Sequence, residues 1–299
     1  FIRRKVVNNM EVAIDNFFKK YKSTGGPTKK YKKYSDPVML EIGLYDHHFG
    51  KLAWRKETND DYDLKIAKNY YEYAIQDVFT KVKGFDIEKI LFPIGQDFLH
   101  VDNLQGTTFK GTPQDTDGRL AKIYETALWA QIKAIERCLE IAPVKIIYVP
   151  GNHDFTTSYY LCKTIEHKYW GNKNIECDIR PGSRKYECYG INLIGFTHLG
   201  EIPIKKLPLL MPDENKFDWG ETSFHEWHCG HPHKRGEIKF IGAQSEGSVI
   251  IRMLPSLCAT DAWHYNHGFV GGVKACENYL WNKNEGYIGH FSTNIIKKG

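Results

Sequence analysis

Apolar positions along this chain alternate between two periods. Over residues 5–22, Val6, Met10, Ala13, Ile14, Phe17, Phe18 and Tyr21 recur at helical spacing, which predicts an amphipathic helix ended by Ser23-Thr24-Gly25-Gly26-Pro27. From Pro37 the rhythm changes, and Val38-Met39-Leu40-Glu41-Ile42-Gly43-Leu44 reads as a buried strand. Ala67, Tyr70, Tyr71, Ala74, Ile75, Val78, Phe79 and Val82 predict a helix. Ile90 to Ile94 predicts the next strand, with Pro93 awkward for a central one. Residues 103–118, rich in Gly, Thr, Asp and Gln, read as a long loop. A second long helix is predicted from Leu120, Ile123, Tyr124, Ala127, Leu128, Ile135, Cys138 and Leu139, followed by a third strand from Val144 to Val149. Residues 158–170 read as helical, and Tyr186 to Phe196 as two strands about Tyr189-Gly190, the second running on towards His198. After Trp227 the pattern is mostly short strands with Gly turns, and no chemistry is assigned beyond about residue 250. Strand–helix–strand alternation implies an α/β fold with a largely parallel sheet covered by helices. Ligands then gather beyond the carboxyl ends of the strands.

Composition narrows the class. The 299 residues are 41% hydrophobic and 26% charged, which suits one large α/β domain over 37–299 behind a basic helical extension and linker over 1–36. No apolar run approaches the roughly 20 residues that span a bilayer, and no cleavable leader is visible, so a cytoplasmic protein without membrane contact is expected. The sequence begins at Phe1 without Met, so the natural start is expected upstream, with room for a further domain. Seven cysteines, an odd number with no CxxC pair, read as reduced thiols. Residues 1–36 hold ten Lys/Arg against three acids, a net +7, which leaves −2 for the rest of a chain whose total is +5. The basic character therefore belongs to the leading segment, including Lys29-Lys30-Tyr31-Lys32-Lys33-Tyr34. That run reads as a solvated linker or as a phosphate-contacting arm.

Four blocks of metal-ligand type fall in one order: Asp46-His47-His48, Gly95-Gln96-Asp97, Gly151-Asn152-His153-Asp154 and Gly230-His231-Pro232-His233. Most follow an apolar run. Two divalent cations about 3.5–4 Å apart can hold both oxygens of an in-line phosphoryl displacement. They need an anion between them to offset their repulsion, and neutral imidazoles and an amide to complete their shells. Asp46 and Asp97 supply the anions, Asn152 the amide, and His48, His198, His231 and His233 the imidazoles. Such nitrogen-and-oxygen donors suit Mn, Fe, Zn or Ni rather than Ca or Mg alone, and Mn is the first expectation.

Over residues 37–245 this order resembles the calcineurin-like metallophosphoesterase superfamily, whose pattern is D-x-H, G-D, G-N-H-D/E, H and G-H-x-H. The resemblance implies a four-layer α-β-β-α sandwich. It also implies that Asp46, His48 and His233 hold one metal, that Asn152, His198 and His231 hold the other, and that Asp97 bridges. His153 would meet the scissile phosphate and protonate the leaving oxygen, with Asp154 orienting it, and the nucleophile would be a metal-bridging hydroxide. Here one residue is inserted into G-D, so Asp102 stands as the alternative bridge. His225 and His228 compete with His198, although His228 is expected to pack beside the site.

The superfamily contains nucleases, cyclic-nucleotide phosphodiesterases, nucleotidases, lipid-precursor hydrolases and protein phosphatases. The arginine-rich signature of serine/threonine phosphatases is absent, and the metal-binding Tyr of purple acid phosphatases is replaced by His100. Asp46-His47-His48-Phe49-Gly50-Lys51 is similar to the opening of the bacterial SbcD and Mre11 DNA-repair nucleases. Thr107 to Arg119 resembles a segment of phage and mobile-element metallophosphoesterases. Its place after the second block puts it at the rim of the expected pocket, where it reads either as a well-packed polar loop or as one whose Lys110 and Arg119 hold substrate phosphate. The expectation is a metal-dependent DNA nuclease of exonuclease type. The alternatives are a small-molecule phosphodiesterase or nucleotidase, and a non-catalytic metal-containing nucleic-acid-binding protein. Many relatives dimerise, so a homodimer is one assembly the resemblance implies.

Overall fold

The computed structural model describes residues 28–232, 236–241 and 248–295. The amphipathic segment 5–22 and His233 lie outside them. Strand β1 (Val38–Gly43) is followed by the short helix α1 (Arg55–Thr58) and by α2 (Leu64–Lys81). Next come β2 (Ile87–Gly95), α3 (Leu120–Leu139), β3 (Val144–Val149), α4 (Phe155–Lys168) and β4 (Ile175–Asp178). Strands β5 (Arg184–Tyr189) and β6 (Asn192–His198) lead to helices α5 (Leu207–Glu214) and α6 (Lys216–Glu221). The chain then forms β7 (Phe224–Gly230), β8 (Gly236–Ile241), β9 (Ser248–Met253), α7 (Ala262–Asn266), β10 (Ala275–Asn282) and β11 (Gly286–Asn294).

These strands make two sheets, ordered β11-β10-β1-β2-β3-β4 and β5-β6-β7-β9-β8. In the first, β1 to β4 run parallel, while β10 pairs antiparallel along the whole of β1. In the second, β6, β7 and β9 run parallel between antiparallel edges.

Three apolar clusters separate four layers. Leu40, Ile42, Ile90, Phe92, Ile146 and Tyr148 face α2, α3 and α4, whose contributions include Tyr71, Ile135 and Leu161. Their neighbours Met39, Leu91, Ile147 and Val149 face the opposite way, onto Ile194 and Phe196 of the second sheet. Beyond that sheet, Leu193, Trp227 and Ile251 pack on Leu207 and Met211 of α5. The result is an α-β-β-α sandwich. It explains why β1 to β3 read as mostly apolar runs, since a strand covered on both faces has no polar side.

Pro93 is tolerated because β2 pairs with β1 only as far as Leu91, although it pairs with β3 through Gly95. Charged groups bridge the two sheets: Glu187 of β5 pairs with Lys89 of β2 and with Lys145 of β3, and a second link lies deeper. Glu41 of β1 is buried and lies 2.6 Å from His228 Nδ1 on β7. His228 Nε2 lies 3.3 Å from Glu226, which also takes Arg252 Nε at 2.6 Å. His228 therefore joins the two sheets. Among the described residues no helix is long and apolar enough to cross a membrane.

Candidate metal centre

The carboxyl ends of β1, β2, β3, β6 and β7 open at one edge of the sandwich. Asp46 and His48 follow β1, Asp97 follows β2, and Asn152 and His153 follow β3. His198 is the last residue of β6, and His231 comes directly after β7. Backbone bonds stitch the first two loops together: Asp46 N donates to Gln96 O at 3.0 Å, His48 N to Asp97 O at 2.9 Å and Phe49 N to Phe98 O at 2.8 Å.

The turns are sharp. Among the described residues six non-glycine residues have positive φ, and five of them are Asp46, His48, Gln96, Asp97 and His231. Each such conformation costs about 1–3 kcal/mol and concentrates where a chain must aim side chains at one point. Two glycines allow the approach. A Cβ on Gly151 would overlap Asp97 Oδ1 and the Asp97 nitrogen, and one on Gly230 would stand 2.9 Å from Asp46 Oδ2 and 3.1 Å from His198 Nδ1.

Among the described residues three groups have possible donor atoms within 4.8 Å of one another: Asp46–His48–Asp97, Asp97–His198–His231 and the all-histidine His48–His100–His153. Asp97 is common to both groups that contain carboxylates. His198 Nε2 faces two acceptors, Asn152 Oδ1 at 2.9 Å and Asp97 Oδ2 at 3.1 Å. One imidazole nitrogen carries at most one hydrogen, so it cannot satisfy both oxygens. Three donor atoms converging in this way suit a cation at their centre. Both oxygens of Asp46 accept from His231 N, at 3.0 and 2.9 Å. Burial pushes the Asp97 carboxyl up, but the charges of His198 and His153 and their hydrogen bonds outweigh it and hold Asp97 below the ordinary carboxylate range.

His153 sits beside these groups. Its backbone N donates to Asp97 Oδ1 at 2.7 Å, and its ring Nδ1 lies 2.9 Å from the carbonyl oxygen of His100. A carbonyl only accepts, so Nδ1 carries the hydrogen and Nε2 is left to face a substrate. The expected partner of that ring, Asp154, is used elsewhere. It is buried at the head of α4, and its Oδ2 accepts from Leu99 N at 3.0 Å. Burial and the negative charge of Asp97 push the Asp154 carboxyl up to about 8. Orientation of His153 thus comes from a backbone carbonyl rather than from Asp154.

The alternatives in the sequence lie away from the donor groups. Asp102 Oδ1 accepts from Thr156 N and Thr157 N, both at 2.7 Å, and so satisfies the first turn of α4. His225 stacks on Trp219 with ring centroids 3.7 Å apart. Lys110 pairs with Glu201 at 2.7 Å, both exposed, across the gap between the 103–118 loop and the exit of β6. Arg119 stands exposed at the head of α3.

Two further residues contribute to the site beyond those the sequence points to, His100 and Gln96. His100 is buried, and its Nδ1 lies 3.2 Å from His48 Nδ1 while its ring stacks on His153 at 5.1 Å. Burial, then the positive charges of His153 and Lys51, push its imidazole well below the ordinary range. A neutral His100 fixes which His48 nitrogen faces the donor group. Its position three residues after Asp97 was the available signal. Gln96, the inserted residue, accepts from Gly230 N at 3.1 Å and so ties the second loop to the last.

No family model matches the chain, and no curated protein matches it. Solved structures do. A conserved uncharacterised protein from Streptococcus pneumoniae TIGR4, described as a predicted phosphoesterase, is 11% identical with a TM-score of 0.32, covering 88% of this chain and 100% of its own. Vps29 of Chaetomium thermophilum, solved with a cyclic peptide, is 12% identical with a TM-score of 0.30, covering 88% and 97%.

Proposed function

We propose that this chain is a dinuclear-metal phosphodiesterase of the calcineurin-like type that cleaves nucleic acid, with exonucleolytic cleavage of DNA as its leading activity. The observation that carries the reading is the position of Asp97, the one carboxylate common to both carboxylate-containing donor groups. Asp46, His48 and Asp97 would hold one cation, and Asp97, Asn152, His198 and His231 the other, with His233 completing the first shell. Bound there, two divalent cations would polarise the phosphoryl oxygens and make hydroxide available near neutral pH. The protein's own part is to hold the donors in fixed turns and to place His153. With Nδ1 on the His100 carbonyl, a protonated His153 presents Nε2–H to the leaving oxygen. The +7 of residues 1–36 supports a polyanionic substrate.

Labelled single- and double-stranded DNA incubated with Mn tests this. Cleavage should appear, weaken steeply with salt, and fall at least a hundredfold in His153→Ala. If neither DNA nor RNA is cut, the nuclease reading fails. One observation favours a small-molecule phosphodiesterase instead: with +7 in residues 1–36 of a chain totalling +5, the remaining residues carry −2, whereas a nuclease usually lines its approach with positive charge. A panel of cyclic and linear nucleotides separates the two readings.

A further inference from the structure

We propose that Phe109 and Phe155 form a stacking platform for a nucleobase, so that the site takes nucleoside-containing phosphoesters. The proposal deepens the phosphodiesterase reading and rests on it. The two rings touch, with centroids 4.6 Å apart and planes at 33°. They are nonetheless 52% and 38% exposed. Single exposed aromatics are ordinary on a protein surface. This pair differs because both backbones are fixed to the candidate centre. Phe109 N donates to the carbonyl of Asn152 at 3.1 Å. Phe155 is two residues beyond His153, and its carbonyl accepts from the Tyr148 hydroxyl at 2.7 Å.

The loop that carries Phe109 is internally bonded. Thr108 N donates to Thr112 O at 2.9 Å, Thr112 N to Thr108 Oγ1 at 3.1 Å and Gln114 N to Gly106 O at 2.9 Å. The loop backbone at Phe109 is thus fixed beside Asn152, and the ring it carries is half exposed. Aromatic planes stack at about 3.5–4.0 Å, so rings with centroids 4.6 Å apart leave no slot between them. A base would lie on the outer face of the pair. Such stacking tolerates any base, because every base has a π-face. The next residue, Lys110, is held to Glu201 by an exposed ion pair, a weak contact that a substrate phosphate could replace.

The test compares two esters with the same leaving group on the Mn-loaded full chain: thymidine 5′-(p-nitrophenyl phosphate) and methyl p-nitrophenyl phosphate. The kcat/KM ratio of the first to the second should fall on the order of tenfold when both rings are replaced, as Phe109→Leu with Phe155→Leu, and should be retained in Phe109→Trp. Calorimetry of adenosine 5′-monophosphate against ribose 5-phosphate gives a readout free of turnover. The base should add about tenfold in affinity, and the double leucine variant should lose it. An unchanged ratio, or no preference for the nucleotide in the wild type, overturns the platform. If the wild type hydrolyses neither ester yet shows a base preference that the leucines remove, the platform stands and the phosphodiesterase reading falls.

Discussion

Gly151 and Gly230 open their motifs for a steric reason. Each lies where a side chain would displace a donor: Asp97 beside Gly151, Asp46 and His198 beside Gly230. Gly151→Ala should therefore lower Mn affinity at least tenfold and cost about 1–3 kcal/mol of stability. Gly220→Ala, inside α6 where a Cβ meets nothing within 4 Å, should leave Mn affinity unchanged and raise stability by up to about 1 kcal/mol. Metal titration and thermal melting of the two variants check this, and a Gly151→Ala protein with native affinity would contradict it. At this scale the sequence is legible where identity decides the matter. Only Asp, Asn and His can supply these donors, and their order shows through the chain. Partners brought from a distance do not show. Nothing local to Asp154 reveals that its carboxylate is used by Leu99 N, or that the His100 carbonyl holds His153.

At the scale of elements, β1 joins the second sheet through Glu41 and His228. Burial pushes the His228 imidazole down, but Glu41 and Glu226 outweigh it and raise it to about 9 from an ordinary 6.5. The folded ring holds its proton more tightly than the unfolded one. It therefore contributes stability in full below pH 6.5 and loses that contribution as pH rises through about 9. Melting temperature should decline over this window by an amount worth a few kcal/mol at most, and His228→Gln should flatten the decline. An equal slope in both proteins would count against the inter-sheet pair. The same residues show why the elements after β6 are hard to read. Strand β7 is Phe-His-Glu-Trp-His-Cys-Gly, and its Glu226 and His228 are buried yet polar, which breaks the apolar run. Strand β10 carries buried Glu277 and Asn278 and pairs with β1 across more than 200 residues of sequence. Helix α5 is short and contains two prolines. By contrast, β1 and β3 carry apolar runs and α2 and α3 one clear period, so the sequence predicts them nearly to their ends, whereas β2 extends three residues before the expected Ile90, through the polar Glu88 and Lys89.

At the scale of the whole molecule, two sheets with parallel centres bring five strand ends to one edge. That edge gathers Asp46, His48, Asp97, Asn152, His198 and His231 from nearly 190 residues of chain. The central claim is that this edge holds two cations that share Asp97. Electron paramagnetic resonance of the full chain titrated with Mn tests it most directly, because two ions about 3.5–4 Å apart couple magnetically. The account predicts a spin-coupled pair at saturation, lost in Asp97→Asn and kept in Asp102→Asn. An uncoupled spectrum at saturating Mn, or a coupled pair that survives Asp97→Asn, would contradict it.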